Sequence, residues 1–200
     1  MKINKNGKIL TGIIVALFVI MTSIAATIPS PDALSFTIRL FALWGLFFLL
    51  IASIMTPFLK QLYKAFGVPF LKIHHILAAG GVLFATLHPV NFAIQKASAA
   101  VFIPDVSSWI SFWELAGRPA IYLIYIATFA AMFRKKLSSS WRKLHVLMYA
   151  VLIFLIVHGN LIGTDFQNLG ISIIFNGLFA ISMVAMIYKQ YQKYQRKRKN

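Results

Sequence analysis

Six apolar stretches divide the 200-residue chain, and each is close to the length of about 20 residues that an α-helix needs to cross a bilayer. They cover approximately residues 9–28, 35–55, 70–92, 109–133, 142–163 and 169–188. Because lipid offers the backbone no hydrogen-bond partner, such segments must be helical. With 60% hydrophobic residues and only four acids, the sequence predicts an all-α integral membrane protein. We expect one six-helix transmembrane domain over residues 1–200, ending in a basic tail at 189–200.

The first apolar stretch admits two interpretations. Lys2, Lys5 and Lys8 precede it, and the small residues Ala25 and Ala26 resemble the cleavage site of a signal peptide. Its apolar run of about 20 residues is longer than that of an ordinary signal peptide, which favours a retained first span. Cleavage is the alternative, and it would leave the relative order of the later spans unchanged.

Positive charge is concentrated in alternate loops. The N-terminus, the second-to-third loop, the fourth-to-fifth loop and the C-terminus hold 17 of the 20 Lys and Arg residues. All four acids lie on the opposite side or in its half of a span. By the positive-inside rule this predicts a multi-pass cell-membrane protein with both termini in the cytoplasm. The net charge of +16 therefore indicates topology and contact with membrane lipid, and no nucleic-acid partner is expected.

The chain contains no cysteine, which excludes disulfides, c-type haem attachment and thiolate-bound metal sites. It also contains no P-loop and no G-x-G-x-x-G motif, so no flavin or nicotinamide site is expected in this chain. Any redox chemistry must therefore come from a cofactor that is held by histidine.

All five histidines lie in two of the apolar stretches, His74, His75 and His88 in the third and His145 and His158 in the fifth. Ionisable residues at membrane depth are costly and are candidates for function. The third and fifth spans are predicted to run in the same direction, so His74 or His75 should lie level with His145, and His88 with His158. The two levels should be about 20 Å apart along the helix axis.

Helical geometry favours His74 over His75. Fourteen residues return an ideal helix to within about 40° of the starting direction, so His74 and His88 share a face, whereas His75 and His88 differ by about 140°. His145 and His158 also differ by about 140°, which requires a local helix distortion or differently oriented bound groups. Facing imidazoles at two levels are what two stacked b-type haems require. The alternative is that each histidine only makes a helix contact.

Two arginines lie in the outer halves of spans, Arg39 in the second and Arg118 in the fourth, where a free cation is costly. Either arginine could pair with a haem propionate near the outer histidines, and Arg118 could instead pair with Glu114, four residues earlier on the same face. For Arg39 no acid is near in sequence, so contact with a haem propionate or a substrate is predicted. The small residues of Ala78 to Gly81, AAGG, would admit a flat macrocycle or, equally, a neighbouring helix.

The spacing of the histidines resembles that of the ferric reductase-like transmembrane domain family. H-x13-H joins His74 to His88, and H-x12-H joins His145 to His158, which Gly159 follows. Weaker matches are Arg39, Thr56-Pro57, Arg118-Pro119 and W-x-x-L-H at Trp141 to His145. The family includes ferric reductases, NADPH oxidases and the haem-binding membrane subunit of the periplasmic methionine sulfoxide reductase system, and the resemblance covers about residues 10 to 188.

The resemblance implies a six-helix bundle with two b haems between helices three and five. His74 and His145 would be the axial ligands of the inner haem iron, and His88 and His158 those of the outer one. The resemblance to ferric reductases and NADPH oxidases does not extend to their flavin and nicotinamide domain, for which these 200 residues contain no counterpart. The chain differs from the sulfoxide reductase subunit because it keeps an inner histidine on helix three.

The predicted function is a di-haem b-type cytochrome, an oxidoreductase or an electron-transfer subunit of one. It would carry electrons from a cytoplasmic flavoprotein reductase or a quinol to an external acceptor. A first alternative is a haem-binding membrane anchor subunit of a partner reductase that uses quinol. An alternative of another class is a proton- or metal-conducting transporter with a histidine-lined path, since transition metals also favour imidazole.

Overall fold

The computed structural model describes residues 3–199, and over that range the chain is helical without β-strands. Met1, Lys2 and Asn200, which belong to the predicted basic ends, lie outside the described residues. The ten α-helices of this range are α1 Lys5–Thr27, α2 Ala33–Ile54, α3 Leu59–Phe66, α4 Phe70–Lys96, α5 Trp109–Glu114, α6 Gly117–Met132, α7 Arg134–Leu137, α8 Ser140–His145, α9 Leu147–Ile162 and α10 Leu169–Lys199. Two 3-10 turns, Ala99–Phe102 and Thr164–Gln167, complete the described elements.

Five helical segments are long and apolar enough to cross a bilayer, namely α1, α2, α4, the combined α8–α9 segment and α10. The prediction of an all-α, multi-pass membrane protein is confirmed to this extent. The predicted fourth span, residues 109–133, is instead divided into α5 and the 16-residue α6. Pro119 explains the division, because it has no N–H to donate to the Leu115 carbonyl four residues earlier. The Arg118 N–H donates to this carbonyl instead, at 2.9 Å.

The loop predicted between the second and third spans contains the short amphipathic helix α3. Leu62 and Ala65 are buried on one side of it, while Lys60 and Lys64 are exposed on the other. The N-terminus of α1 holds α3 in place, since the Asn4 side chain donates to the Lys64 carbonyl at 2.8 Å. The helix therefore presents basic side chains at the predicted cytoplasmic end of the bundle.

Helices α2 and α4 pack closely and antiparallel around two glycines. A Cβ atom on Gly45 would lie 2.7 Å from the backbone nitrogen of Ala85, and one on Gly81 would lie 2.8 Å from the Leu49 side chain. Both distances are too short for a real contact, so a side chain at either position would push the helices apart. Gly81 of the AAGG segment therefore serves helix packing.

Arg39 joins three parts of the bundle. Its Nε donates to Oδ2 of Asp165 at 3.0 Å, and its Nη1 donates to the Pro29 carbonyl at 2.9 Å. Asp165 lies in the 3-10 turn before α10 and is only 5% exposed. The two residues are 126 positions apart, so sequence proximity did not reveal the pair. The pair explains how the Arg39 charge is held without the predicted propionate or substrate contact.

Candidate functional site

Four of the five histidines share one local geometry, in which Nδ1 lies within hydrogen-bond distance of a backbone carbonyl oxygen on a neighbouring helix. The pairs are His74 with Ala52 at 3.2 Å, His88 with Ile38 at 3.0 Å, His145 with Ala127 at 3.1 Å and His158 with Glu114 at 2.5 Å. A carbonyl oxygen only accepts, so the ring proton belongs on Nδ1, and the neutral ring then presents a lone pair at Nε2. This is the arrangement by which proteins orient histidines that bind a metal.

The registry of α2 against α4 sets the first two of these contacts. His74 and His88 are fourteen residues apart on α4, and their carbonyl partners Ala52 and Ile38 are fourteen residues apart on α2. Gly45 lies midway between the two carbonyl residues, and Gly81 lies midway between the two histidines. The close approach of the helices at these glycines therefore allows both histidines to reach their carbonyls. The glycine packing and the histidine orientation are therefore one structural feature.

A second antiparallel pair sets the other two contacts. His145 and His158 are thirteen residues apart, and so are their carbonyl partners Ala127 and Glu114. Thirteen residues of an unbroken helix would leave the two rings about 140° apart. The helix is interrupted at Val146, since α8 ends at His145 and α9 begins at Leu147. This is the kind of local distortion that is needed for both rings to take part in one arrangement.

The partner of His158 is available because of the break between α5 and α6. In a continuous helix the Glu114 carbonyl would accept from the Arg118 N–H, but that N–H donates to Leu115 instead. Glu114 therefore contributes to the site through its backbone. The sequence expectations do not include this role, although Pro119 is a local signal for an interrupted helix.

His88 and His158 line one cavity of about 440 Å³, which we call the His88–His158 cavity. This volume lies within the range of about 300–1,000 Å³ that is typical of ligand sites. Its wall is mostly apolar and includes Ile121, Phe92 and Leu155. Two imidazoles therefore face an apolar space that is large enough for a bound group.

Arg118 also lines the His88–His158 cavity, and its Nη1 donates to the Ile103 carbonyl at 2.9 Å. Within residues 3–199 it forms no ion pair, so the possible pairing with Glu114 is not seen. Asp105, in the preceding loop, has a pKa below its ordinary value, chiefly because Ser107 donates hydrogen bonds to it and, to a lesser degree, because of the Arg118 charge. Arg118 therefore places a positive charge, without an ion pair in the described range, on the wall of the cavity.

Gly117 is a further cavity residue that the sequence analysis did not identify. A Cβ atom at this position would lie only 3.3 Å from Nε2 of His158. The absence of a side chain leaves space beside the nitrogen that carries the lone pair. A bound group can therefore approach His158 from the Gly117 side.

His74 and His145 line two adjoining cavities of about 1410 Å³ and 740 Å³, which together we call the His74–His145 slot. The ring centroids of the two histidines are 6.2 Å apart. If both rings bound one metal ion through Nε2 at about 2 Å, their centres would lie about 6 Å apart. Ala78 and Ala79 of the AAGG segment line the larger cavity.

His75 lies beside this arrangement. Its ring centroid is 6.1 Å from that of His74, but the side chain is exposed and lines only the larger of the two cavities. His74, in contrast, lines both cavities and has the carbonyl contact to Ala52. The structure thus brings together the four histidines that the sequence analysis preferred, in two separate pairs.

Comparisons with known protein families, with curated proteins and with solved structures found no match. The resemblance to the ferric reductase-like family therefore rests on the motifs of this sequence alone.

Proposed function

We propose that this protein is a di-haem b-type cytochrome of the membrane, with one haem in the His88–His158 cavity and one in the His74–His145 slot. In this proposal α5 and α6 together form a broken fourth span, which gives six spans in all. The observation that carries the proposal is the shared orientation of four histidines, each with Nδ1 at a backbone carbonyl, in two pairs that each line a common cavity. Haem suits such pairs because its macrocycle supplies the other iron ligands.

The surroundings of the histidines fit a flat, mostly apolar group that carries carboxylates. The His88–His158 cavity is apolar except for a few polar groups, of which Arg118 is a cation without an ion pair in the described range. Arg118 would neutralise a haem carboxylate there. Arg39 and Asp165, which also line this cavity, hold α2 against the turn before α10 and so keep the wall in place.

The two levels of histidines give the protein a route across the membrane. When bound, b haems supply one-electron redox chemistry at their iron atoms. The fourteen residues between His74 and His88 correspond to about 20 Å of helix, which is most of a hydrocarbon layer about 30 Å thick. With both termini in the cytoplasm, electrons would enter near His74 and His145 and leave near His88 and His158.

The donor in this proposal is a cytoplasmic flavoprotein reductase or a quinol, and the acceptor is external. A haem pair relays single electrons and does not accept a hydride, which requires a nicotinamide or flavin site. The alternative role, a membrane anchor subunit that delivers electrons to a partner reductase, uses the same two sites.

The transporter alternative is less well supported. A histidine-lined path would need its histidines along one continuous opening. The His88–His158 cavity shares no lining residue with the two cavities of the His74–His145 slot. Two separate sites suit a relay between bound groups better than a conduction path.

The donor can be identified with the purified protein in liposomes. We expect the reduced haem bands to appear with a reduced quinol analogue or with a flavin reductase plus NADPH. NADPH alone should leave the haems oxidised, because residues 1–200 contain no motif for a nicotinamide or flavin site. Rapid reduction by NADPH alone, in a preparation free of flavin and other proteins, would contradict the proposal.

A further inference from the structure

The His74–His145 slot differs in polarity along its depth. Ala78 and Val82 lie one and two turns beyond His74 towards the middle of α4, and both line the two cavities of the slot. At the opposite side, both cavities are lined by Thr56, Lys60 and Lys189. The wall of the slot beside Ala78 and Val82 is therefore apolar, and its mouth is cationic.

The hydroxyl of Thr56 is buried and has no hydrogen-bond partner in the described part of the protein. Thr56 lies in the turn that follows α2, and a threonine hydroxyl near a helix end commonly bonds to the carbonyl four residues earlier. Here that carbonyl belongs to Ala52 and accepts from His74. A buried polar group without a partner is unfavourable, so this hydroxyl is expected to bind a group that enters the slot.

The lysines at the mouth have no acidic residue of this chain at their end of the bundle. The four acids, Asp32, Asp105, Glu114 and Asp165, all lie towards the other end, on the side of the His88–His158 cavity or in the loops beyond it. Lys60 on α3 and Lys189 on α10 are exposed at the mouth of the slot. A ligand with carboxylates would complement this charge.

We propose that Thr56, Lys60 and Lys189 bind the two carboxylate arms of the haem in the His74–His145 slot. This inference rests on the proposed function and adds the residues that orient the inner haem. The carboxylates would lie at the cationic mouth and the macrocycle in the apolar part beside Ala78 and Val82. Lys189 would then neutralise a haem carboxylate in the slot, as Arg118 would in the His88–His158 cavity.

The proposal predicts a change in redox potential as well as in binding. A cation near the iron favours the ferrous state, which carries one positive charge fewer than the ferric state. Removing Lys189 should therefore lower the midpoint potential of the inner haem. Removing the Thr56 hydroxyl as well should weaken haem retention, since both groups bind the carboxylates.

The test compares Lys189→Met and Thr56→Val, singly and combined, with the matched control Lys72→Met in the full-length protein. Lys72 is an exposed lysine near the same end of α4 and lines neither cavity of the slot. The readouts are the haem-to-protein ratio and a redox titration that resolves both haems. In the double variant we expect about a tenfold fall in the ferrous-to-ferric ratio of the inner haem at fixed potential, which is about 59 mV for one electron. The outer haem and the control should be unchanged, and Lys189→Arg should restore the potential.

Two results would overturn this inference while leaving the proposed function intact. One is a wild-type protein with two haems whose potentials and haem content do not respond to the variants. The other is unchanged potentials with slower reduction by a quinol analogue, which would assign these residues to a donor site. A wild-type protein without haem would instead reject the proposed function, and this inference with it.

Discussion

Replacing His88 or His158 with alanine is expected to halve the haem content of the purified protein. In the proposed cytochrome each of these residues would bind the haem iron in the His88–His158 cavity, and an iron with one protein ligand would be held far less firmly. His74→Ala or His145→Ala should remove the other haem by the same reasoning. The haem-to-protein ratio, together with the spectrum of the haem that remains, measures both effects.

His75 provides a matched control for these variants, because it neighbours His74 on the same helix but is exposed and lines only the larger cavity of the slot. His75→Ala should keep both haems. Equal losses from His74→Ala and His75→Ala would show that the assignment of the inner ligand to His74 is wrong.

Replacing Gly45 with alanine should damage both haem sites at once, although Gly45 touches neither histidine pair directly. The new Cβ would lie 2.7 Å from the backbone of Ala85, and backbone cannot move aside as a flexible side chain can. Overpacking of this kind typically costs about 1–3 kcal/mol. Separation of α2 from α4 would also withdraw the carbonyls of Ile38 and Ala52 from their histidines. Thermal unfolding and haem content are the measurements.

Gly177→Ala is the control for this experiment. Gly177 lies in α10, and a Cβ atom there would meet nothing within 4 Å. The substitution should therefore be neutral or stabilising, by up to about 1 kcal/mol, because alanine is the better helix former. If Gly45→Ala bound two haems and unfolded at the same temperature as Gly177→Ala, the helix approach at Gly45 would not be what orients His74 and His88.

Much of the fold was predictable because lipid simplifies the problem. Long apolar runs gave the all-helical class and five of the predicted spans, since nothing but a helix satisfies the backbone in a membrane. The spacing of the histidines on the third and fifth spans also predicted which of them would share a level. These features depend on local sequence and helical geometry alone.

The contacts between distant segments were not predictable in this way. The partner of Arg39 is Asp165, in a turn that precedes α10, and no local pattern connects the two. The carbonyl partners of His74 and His88 depend on the registry of α2 against α4, which is set by the close approach at two glycines. Glycine in a membrane helix has several uses, so the AAGG segment alone did not distinguish helix packing from a ligand wall.

The division of the predicted fourth span had a local cause that was visible in the sequence. Pro119 belongs to the Arg118-Pro119 motif, and its missing N–H accounts for the end of α5 and the start of α6. The same break frees the Glu114 carbonyl for His158. Counting the backbone donors and acceptors along this span predicts both the break and the free Glu114 carbonyl.

The haem-to-protein ratio of the purified protein decides whether the two histidine pairs hold two haems. A pyridine haemochrome spectrum identifies the haem type, and the amount of haem per chain counts the sites. We expect b-type haem at a ratio of two per chain. A colourless protein would contradict the cytochrome assignment, and a ratio of one would contradict the presence of two independent histidine-held sites.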